Sequence, residues 1–89
     1  MKFRKKPVVI DAMKFRGSTT NKLQVEHWME TGEEPEGQYF TTCDIVEMYI
    51  KTSEGTMRAI SGDWIIRGVF GEFYPCKPDV FAATYEAVK

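Results

Sequence analysis

The side chains that could bring chemistry to a ligand are few and scattered. His27 is the single histidine, flanked by Glu26 and Trp28. It sits in a stretch with helical periodicity, where a lone histidine is more often a boundary residue than a general base. Cys43 and Cys76 form no CxxC pair, and with His27 they lack the clustered spacing of a zinc site. The run "GVFGEF" has glycines, but no GK[ST] follows and no helix begins there, so it is not a phosphate loop. No two carboxylates stand out as a general acid and base. The sequence therefore points to binding without catalysis, and it calls for no metal or cofactor.

What remains is a set of cations interleaved with aromatic rings. Arg4 and Lys5 lie in the opening "MKFRKKP", and Arg58, Trp64, Arg67, Phe70, Tyr74 and Lys77 follow in the last third of the chain. A planar cation beside an aromatic ring suits a phosphate that carries a base. The cation meets phosphate oxygens and the ring stacks on the base, at about 1–3 kcal/mol per stack. These eight residues are the candidate ligand contacts, with Trp64 also a candidate for the core. Asp79 and Thr84 are placed either to read base edges or to act as turn and capping residues.

Half of the set falls on "GDWIIRGVFGEFYPC" (Gly62 to Cys76), which reads as a β-hairpin. If Phe70 and Gly71 form a two-residue turn, Gly68 opposes Phe73, Arg67 opposes Tyr74 and Ile66 opposes Pro75. Trp64, Ile66, Gly68 and Phe73 then share a core face. Ile65, Arg67, Val69, Glu72 and Tyr74 share the other. There Arg67 either pairs with Glu72 and stacks on Tyr74, worth at most ~1 kcal/mol on an exposed sheet, or forms half of a ligand site. Phe70 fits poorly at the first position of a type I′ turn, which wants positive φ. A ring at a hairpin tip more often meets a partner subunit or a ligand than solvent. A longer turn slips the register by one and exchanges the two faces.

The elements that must carry these residues are legible in outline. "VVIDAMKF" (Val8 to Phe15) reads as a strand with Val8, Ile10 and Ala12 on one face, and Pro7 is acceptable at its start. Hydroxyls in "RGSTTN" suit a helix cap. Thr20 to Thr31 then has the stripe of a helix in Val25, Trp28 and Met29, with Gly32 placed to stop it. "GEEPEGQ" is a loop by composition. "YFTTCDIVEMYIKT" reads as a strand whose apolar face holds Val46, Met48 and Ile50. "SEGT" and "SGD" are turns flanking "MRAI". "KPDVFAATYEAV" opens with a proline-led helical turn and ends as a strand. The expected fold is α+β: a small, mostly antiparallel sheet with one principal helix packed on it and a short C-terminal helical turn.

Totals narrow the partners. The 89 residues read as one domain, residues 1–89, at 43% hydrophobic and 13% aromatic. A core this small is often supplemented by self-association, so a homo-oligomer is expected. The net charge of -1 argues against binding duplex nucleic acid, which normally needs a strong basic excess. The charge is uneven: "MKFRKKP" is basic and "METGEEPEG" acidic, and the two either meet across a subunit interface or stand in solvent. No apolar run is long enough to span a bilayer, and no secretory leader is visible. A cytoplasmic protein with reduced thiols is the expectation.

The run "SGDWIIRGVFGEFYPCKPDVFAATYEAV" resembles the C-terminal signature of a group of small bacteriophage-encoded accessory proteins. The opening "KFRKKPVVIDAMKF" is similar to the start of that group. The resemblance covers both ends of the chain and leaves the helix and acidic loop as the variable middle. It implies a protein of the infected bacterial cell. Through an overlap with anti-CBASS sponges, it also implies a small oligomer that binds cyclic oligonucleotide immune signals, of cyclic dinucleotide type, and sequesters them uncleaved. A two-fold symmetric ligand of that kind would fit between two subunits. The alternative is a protein-binding inhibitor that docks on a host enzyme by its sheet edge or hairpin tip, with Phe70 as an anchor.

Overall fold

The helix starts and stops where its side chains dictate. Ser18 is the N-cap, in extended conformation, and its Oγ accepts the Asn21 N–H, satisfying one of the donors a helix start leaves open. Helix α1 runs Thr19–Thr31, and Gly32 closes it at φ 76°, donating its N–H to the Trp28 carbonyl at 2.7 Å. Only a residue without Cβ takes that left-handed conformation without strain. Val25 and Trp28 are buried and Met29 packs beside them, which is the expected stripe.

The computed structural model describes residues 1–4, 8–34 and 45–88. Around α1 the chain order is β1 (Asp11–Lys14), α1, β2 (Met48–Thr52), β3 (Gly55–Ala59), β4 (Trp64–Arg67), β5 (Phe73–Cys76) and α2 (Pro78–Thr84). The α+β class holds, with the strands divided between two antiparallel sheets: a three-stranded one in the order β1-β4-β5 and a β2-β3 hairpin. The first strand is shorter than the Val8–Phe15 expected. Of the long strand expected from Tyr39, β2 is the paired part; Tyr39 to Asp44, with Cys43, lie outside the described residues. Residues 85–88 are not a strand, although the sequence reads as one.

The three-stranded sheet is covered on both faces. On one, Ile65 joins Phe15, Val25, Trp28, Met48, Ile50 and Ala59 in a continuous core. Trp28 meets Phe73 edge-on at 5.5 Å, a favourable arrangement of ring quadrupoles. The β2-β3 hairpin contributes to this core through Met48 and Ile50, while Tyr49 between them is exposed. On the other face Ile66 is fully buried. There Trp64 lies parallel to Phe81 of α2, 4.2 Å apart with 7° between the ring planes. Pro78 opens α2 at a position where its missing N–H costs nothing, and Asp79 sits in the first turn, where a negative charge is favoured.

The β4–β5 register corrects the two-residue turn. Arg67 pairs with Phe73, Ile66 with Tyr74, Ile65 with Pro75 and Trp64 with Cys76. The loop is three residues, Val69 to Gly71. Gly68 donates to the Glu72 carbonyl at 2.7 Å and Gly71 to the Gly68 carbonyl at 3.0 Å. Gly71 takes φ 82°, and no non-glycine among the described residues has positive φ. This is the three-residue hairpin with a left-handed glycine at its last position. It removes the objection to Phe70, because the glycine carries the positive φ. The faces exchange accordingly: Phe73 and Ile65 share the α1 side, and Trp64, Ile66 and Tyr74 share the α2 side.

Candidate functional site

The slipped register separates Arg67 from Tyr74. Arg67 now lies on the α1 side, exposed, opposite Asp11 of β1. Its guanidinium reaches the end of α1: a Cβ built on Gly32 would lie 3.3 Å from Nη1. The last turn of α1 contains no basic residue, so a cation supplied from β4 complements the negative end of the helix dipole. Tyr74 stands on the opposite face, where its hydroxyl is hydrogen-bonded to Tyr85.

Two further candidate cations are engaged inside the molecule. Lys77 Nζ lies 3.1 and 3.2 Å from the two carboxylate oxygens of Asp63, a residue only 2% exposed. Asp63 also accepts the Ile60 N–H at 3.0 Å and closes the Ile60–Asp63 turn by donating to the Ile60 carbonyl. Its own carbonyl accepts the Phe15 N–H at 2.8 Å. The aspartate of "GDW" and the lysine of "CKP" are therefore a structural couple between the entry of β4 and the start of α2. Arg58 is paired with Glu47 at 3.3 Å on the outer face of β2-β3. Glu47 also accepts the Tyr49 hydroxyl at 2.8 Å. That bond and the charge behind it raise the Tyr49 pKa above its usual value.

Of the remaining candidates, Arg4 is exposed near the start of the chain and Lys5 lies outside the described residues. Trp64 and Tyr74 are both half-buried and share the α2 side of the sheet. Phe70 is 93% exposed at the hairpin tip, beside a 59% exposed Val69. The tip is internally tied: Glu72 Oε2 accepts the Phe70 N–H at 2.9 Å, in addition to the two backbone bonds across the loop. An aromatic ring is thus held out into solvent on a turn that bonds the Gly68, Phe70 and Gly71 N–H groups from within.

Burial pushes the Tyr74 hydroxyl up to about 12, helped by its bond to Tyr85 and by the nearby acidic groups. Burial, with Asp63 and Asp79 nearby, also raises the Cys76 thiol. It stays protonated at neutral pH, which is the wrong state for a nucleophile or a metal ligand. Among the described residues, no three His, Cys, Asp or Glu side chains are grouped to hold a metal ion. Nor, among them, is any helix long and apolar enough to cross a membrane.

Three surface grooves formed by described residues lie near the hairpin. One, about 450 Å³, runs between Val8–Ala12 and the segment after α2. Half-buried Ile10, Trp64, Phe81 and Tyr85 line it, with exposed Asp11, Glu34 and Glu86. A second, about 270 Å³, lies between the β2–β3 turn and β5, with Glu54 and Glu72 beside Met57 and Phe73. A third, about 260 Å³, adjoins Tyr74 and Tyr85 and also includes Glu72. All three carry carboxylates, and none is lined by a lysine or an arginine.

Sequence reasoning missed Phe81 and Tyr85 as surface-forming rings. Their i, i+4 spacing, which puts both on one side of a helix turn and its exit, is the signal that could have found them. No family model, curated protein or solved structure matches this chain.

Proposed function

We propose that this chain acts by stoichiometric binding, without chemistry of its own, and that its partner is a protein gripped by the β4–β5 tip. The observation that carries this reading is Phe70, 93% exposed on a loop tied by three hydrogen bonds of its own. A large ring presented on a pre-ordered turn loses little conformational freedom on binding, which is the property of an interface anchor. The complementary surface on the partner is an apolar pocket with a rim able to meet Glu72. Following the resemblance of both chain ends to phage accessory proteins, such a partner belongs to the cytoplasm of an infected bacterial cell.

The test is capture from bacterial lysate by wild-type protein and by Phe70→Ala, with the recovered partner then purified and titrated. Phe70 makes no core contact, so the variant is expected to melt with the wild type and to bind at least about 30-fold more weakly, as anchor truncations costing 2 kcal/mol or more do. Equal binding by both proteins would overturn the reading.

A second reading is sequestration of a cyclic oligonucleotide signal. One observation favours it: the groove of about 450 Å³ falls within the size range of small-ligand sites and is lined by the Trp64–Phe81 stack and Tyr85. The carboxylates around it oppose phosphates, so cations would have to come from another copy of the chain. Calorimetry against a panel of cyclic di- and trinucleotides, with bound ligand recovered and checked for integrity, decides the matter. Tight binding of an intact cyclic dinucleotide would establish this reading, and no heat with any member would remove it.

A further inference from the structure

The groove of about 450 Å³ and residues 1–4 are complementary in two respects. The groove pairs an apolar lining, Ile10, Trp64, Phe81 and Tyr85, with three exposed carboxylates, Asp11, Glu34 and Glu86. None of the three has an ion pair among the described residues, although Asp11 stands opposite Arg67 on the α1 side of the sheet, which leaves Glu34 and Glu86 as the main acidic groups. Further exposed apolar surface continues along it in Val9 and Val88, 76% and 75% exposed. The groove also runs along β1, an edge of the three-stranded sheet, and sheet edges are where an extended segment can add.

The chain starts with a segment that fits this description of an occupant. Lys2 and Arg4 flank Phe3, and all are exposed, Phe3 at 88% and Met1 at 109%. In an extended segment, successive side chains point to opposite sides. Phe3 can therefore face an apolar floor while Lys2 and Arg4 face carboxylates. The exposure of residues 1–4 means that the arm does not fill the groove of its own chain.

We propose that this chain forms a two-fold dimer by exchanging N-terminal arms, the Lys2–Arg4 segment of each copy lying in the acidic groove of the other. Exchange between two identical copies gives two equivalent contacts and closes the assembly. It covers apolar surface that the described residues leave exposed at the groove, and opposite charges fix the register. This inference stands apart from the hairpin reading, because Phe70 does not line the groove.

The test is a charge exchange on the full chain, read by sedimentation equilibrium. Wild type is expected to be a dimer. Lys2→Glu/Arg4→Glu gives an acidic arm with an acidic groove, and Glu34→Lys/Glu86→Lys gives a basic arm with a basic groove. Each variant alone is expected to be monomeric. All four positions are exposed, so both variants are expected to fold with the wild-type far-UV circular dichroism, and the wild-type Tm alone is expected to rise with protein concentration, as that of a dimer does. Mixed together, each arm meets a groove of opposite charge and the dimer returns as a heterodimer. Phe70→Ala is expected to remain dimeric, which separates this proposal from failure of the hairpin reading. A monomeric wild type, a dimer indifferent to the arm variant, or a mixture that stays monomeric would each overturn it.

Discussion

Replacing Lys77 by methionine removes the partner of a buried carboxylate, and the structure sets the size of the effect. Asp63 has a side chain 3% exposed, while that of Lys77 is 57% exposed. Removing one member of a fully buried pair typically costs about 3–5 kcal/mol, because the other charge is left uncompensated. Here the lysine end is open, so water can approach the vacated position and the cost falls toward the surface range. The Ile60 N–H at 3.0 Å also remains on the carboxylate. We expect Lys77→Met to lose about 1–2 kcal/mol, a fall of about 5–15 °C in Tm for a chain of this length. The sign of the coupling is the sharper test. Asp63→Asn keeps a side-chain oxygen for the Ile60 N–H and removes the buried charge. Added to Lys77→Met, it should therefore recover part of the loss instead of deepening it. Urea unfolding of the wild type, both single variants and the double variant measures all four corners. A double variant as unstable as the sum of the singles would refute the argument and release Lys77 as a free ligand cation.

Three other perturbations have expected outcomes. Gly71→Ala forces a side chain into φ 82° and should cost about 1–2 kcal/mol in thermal unfolding; a neutral result would mean that the loop does not hold its left-handed residue. Phe15→Ala empties a fully buried site at the centre of the core, with an expected loss of about 3–5 kcal/mol in urea unfolding, a large part of the stability of a small domain. Tyr74, with its pKa pushed up to about 12, should be missing from the tyrosinate absorbance that develops near pH 10, as a comparison with Tyr74→Phe would show. Its folded pKa lies above its unfolded value, so the stability linked to it is complete below pH 10 and is lost as pH rises from 10 to 12. Tyr85→Phe should lower the Tyr74 pKa.

The parts of the fold that could be read from sequence are those fixed by local chemistry. Ser18 and Gly32 frame α1 because one side chain accepts an N–H and the other residue tolerates positive φ. The alternation of Met48, Tyr49 and Ile50 shows which face of β2 is buried. Pro78 announces α2. What could not be read depends on long-range pairing. Val8–Ile10 has the composition of a strand, yet β1 pairs with β4 only from Asp11 to Lys14. The segment after Thr84 looks like a strand too, yet residues 85–88 do not form one. Asp63 and Lys77 each look like ordinary polar residues until the fold brings them within 3.1 Å.

The hairpin turn has the largest consequence for function. Two-residue and three-residue loops place Gly71 differently: as the second of two turn residues or the last of three. Both allow it a positive φ, so glycine alone does not choose between them. Phe70 does choose, because the shorter loop asks it for a conformation that the longer one does not. The residue that looked anomalous was therefore evidence for the longer turn as much as for a ligand. That one-residue slip moves Arg67 to the end of α1 and Tyr74 to the face it shares with Tyr85. The cation–ring pair that favoured a phosphate ligand is taken apart. Phe70 is relieved of strain and left as an unburied ring on an ordered tip, with carboxylates in the grooves around it. Among the described residues, the three grooves beside the hairpin offer carboxylates and apolar surface, which is what supports the proposal of a protein partner over that of a nucleotide.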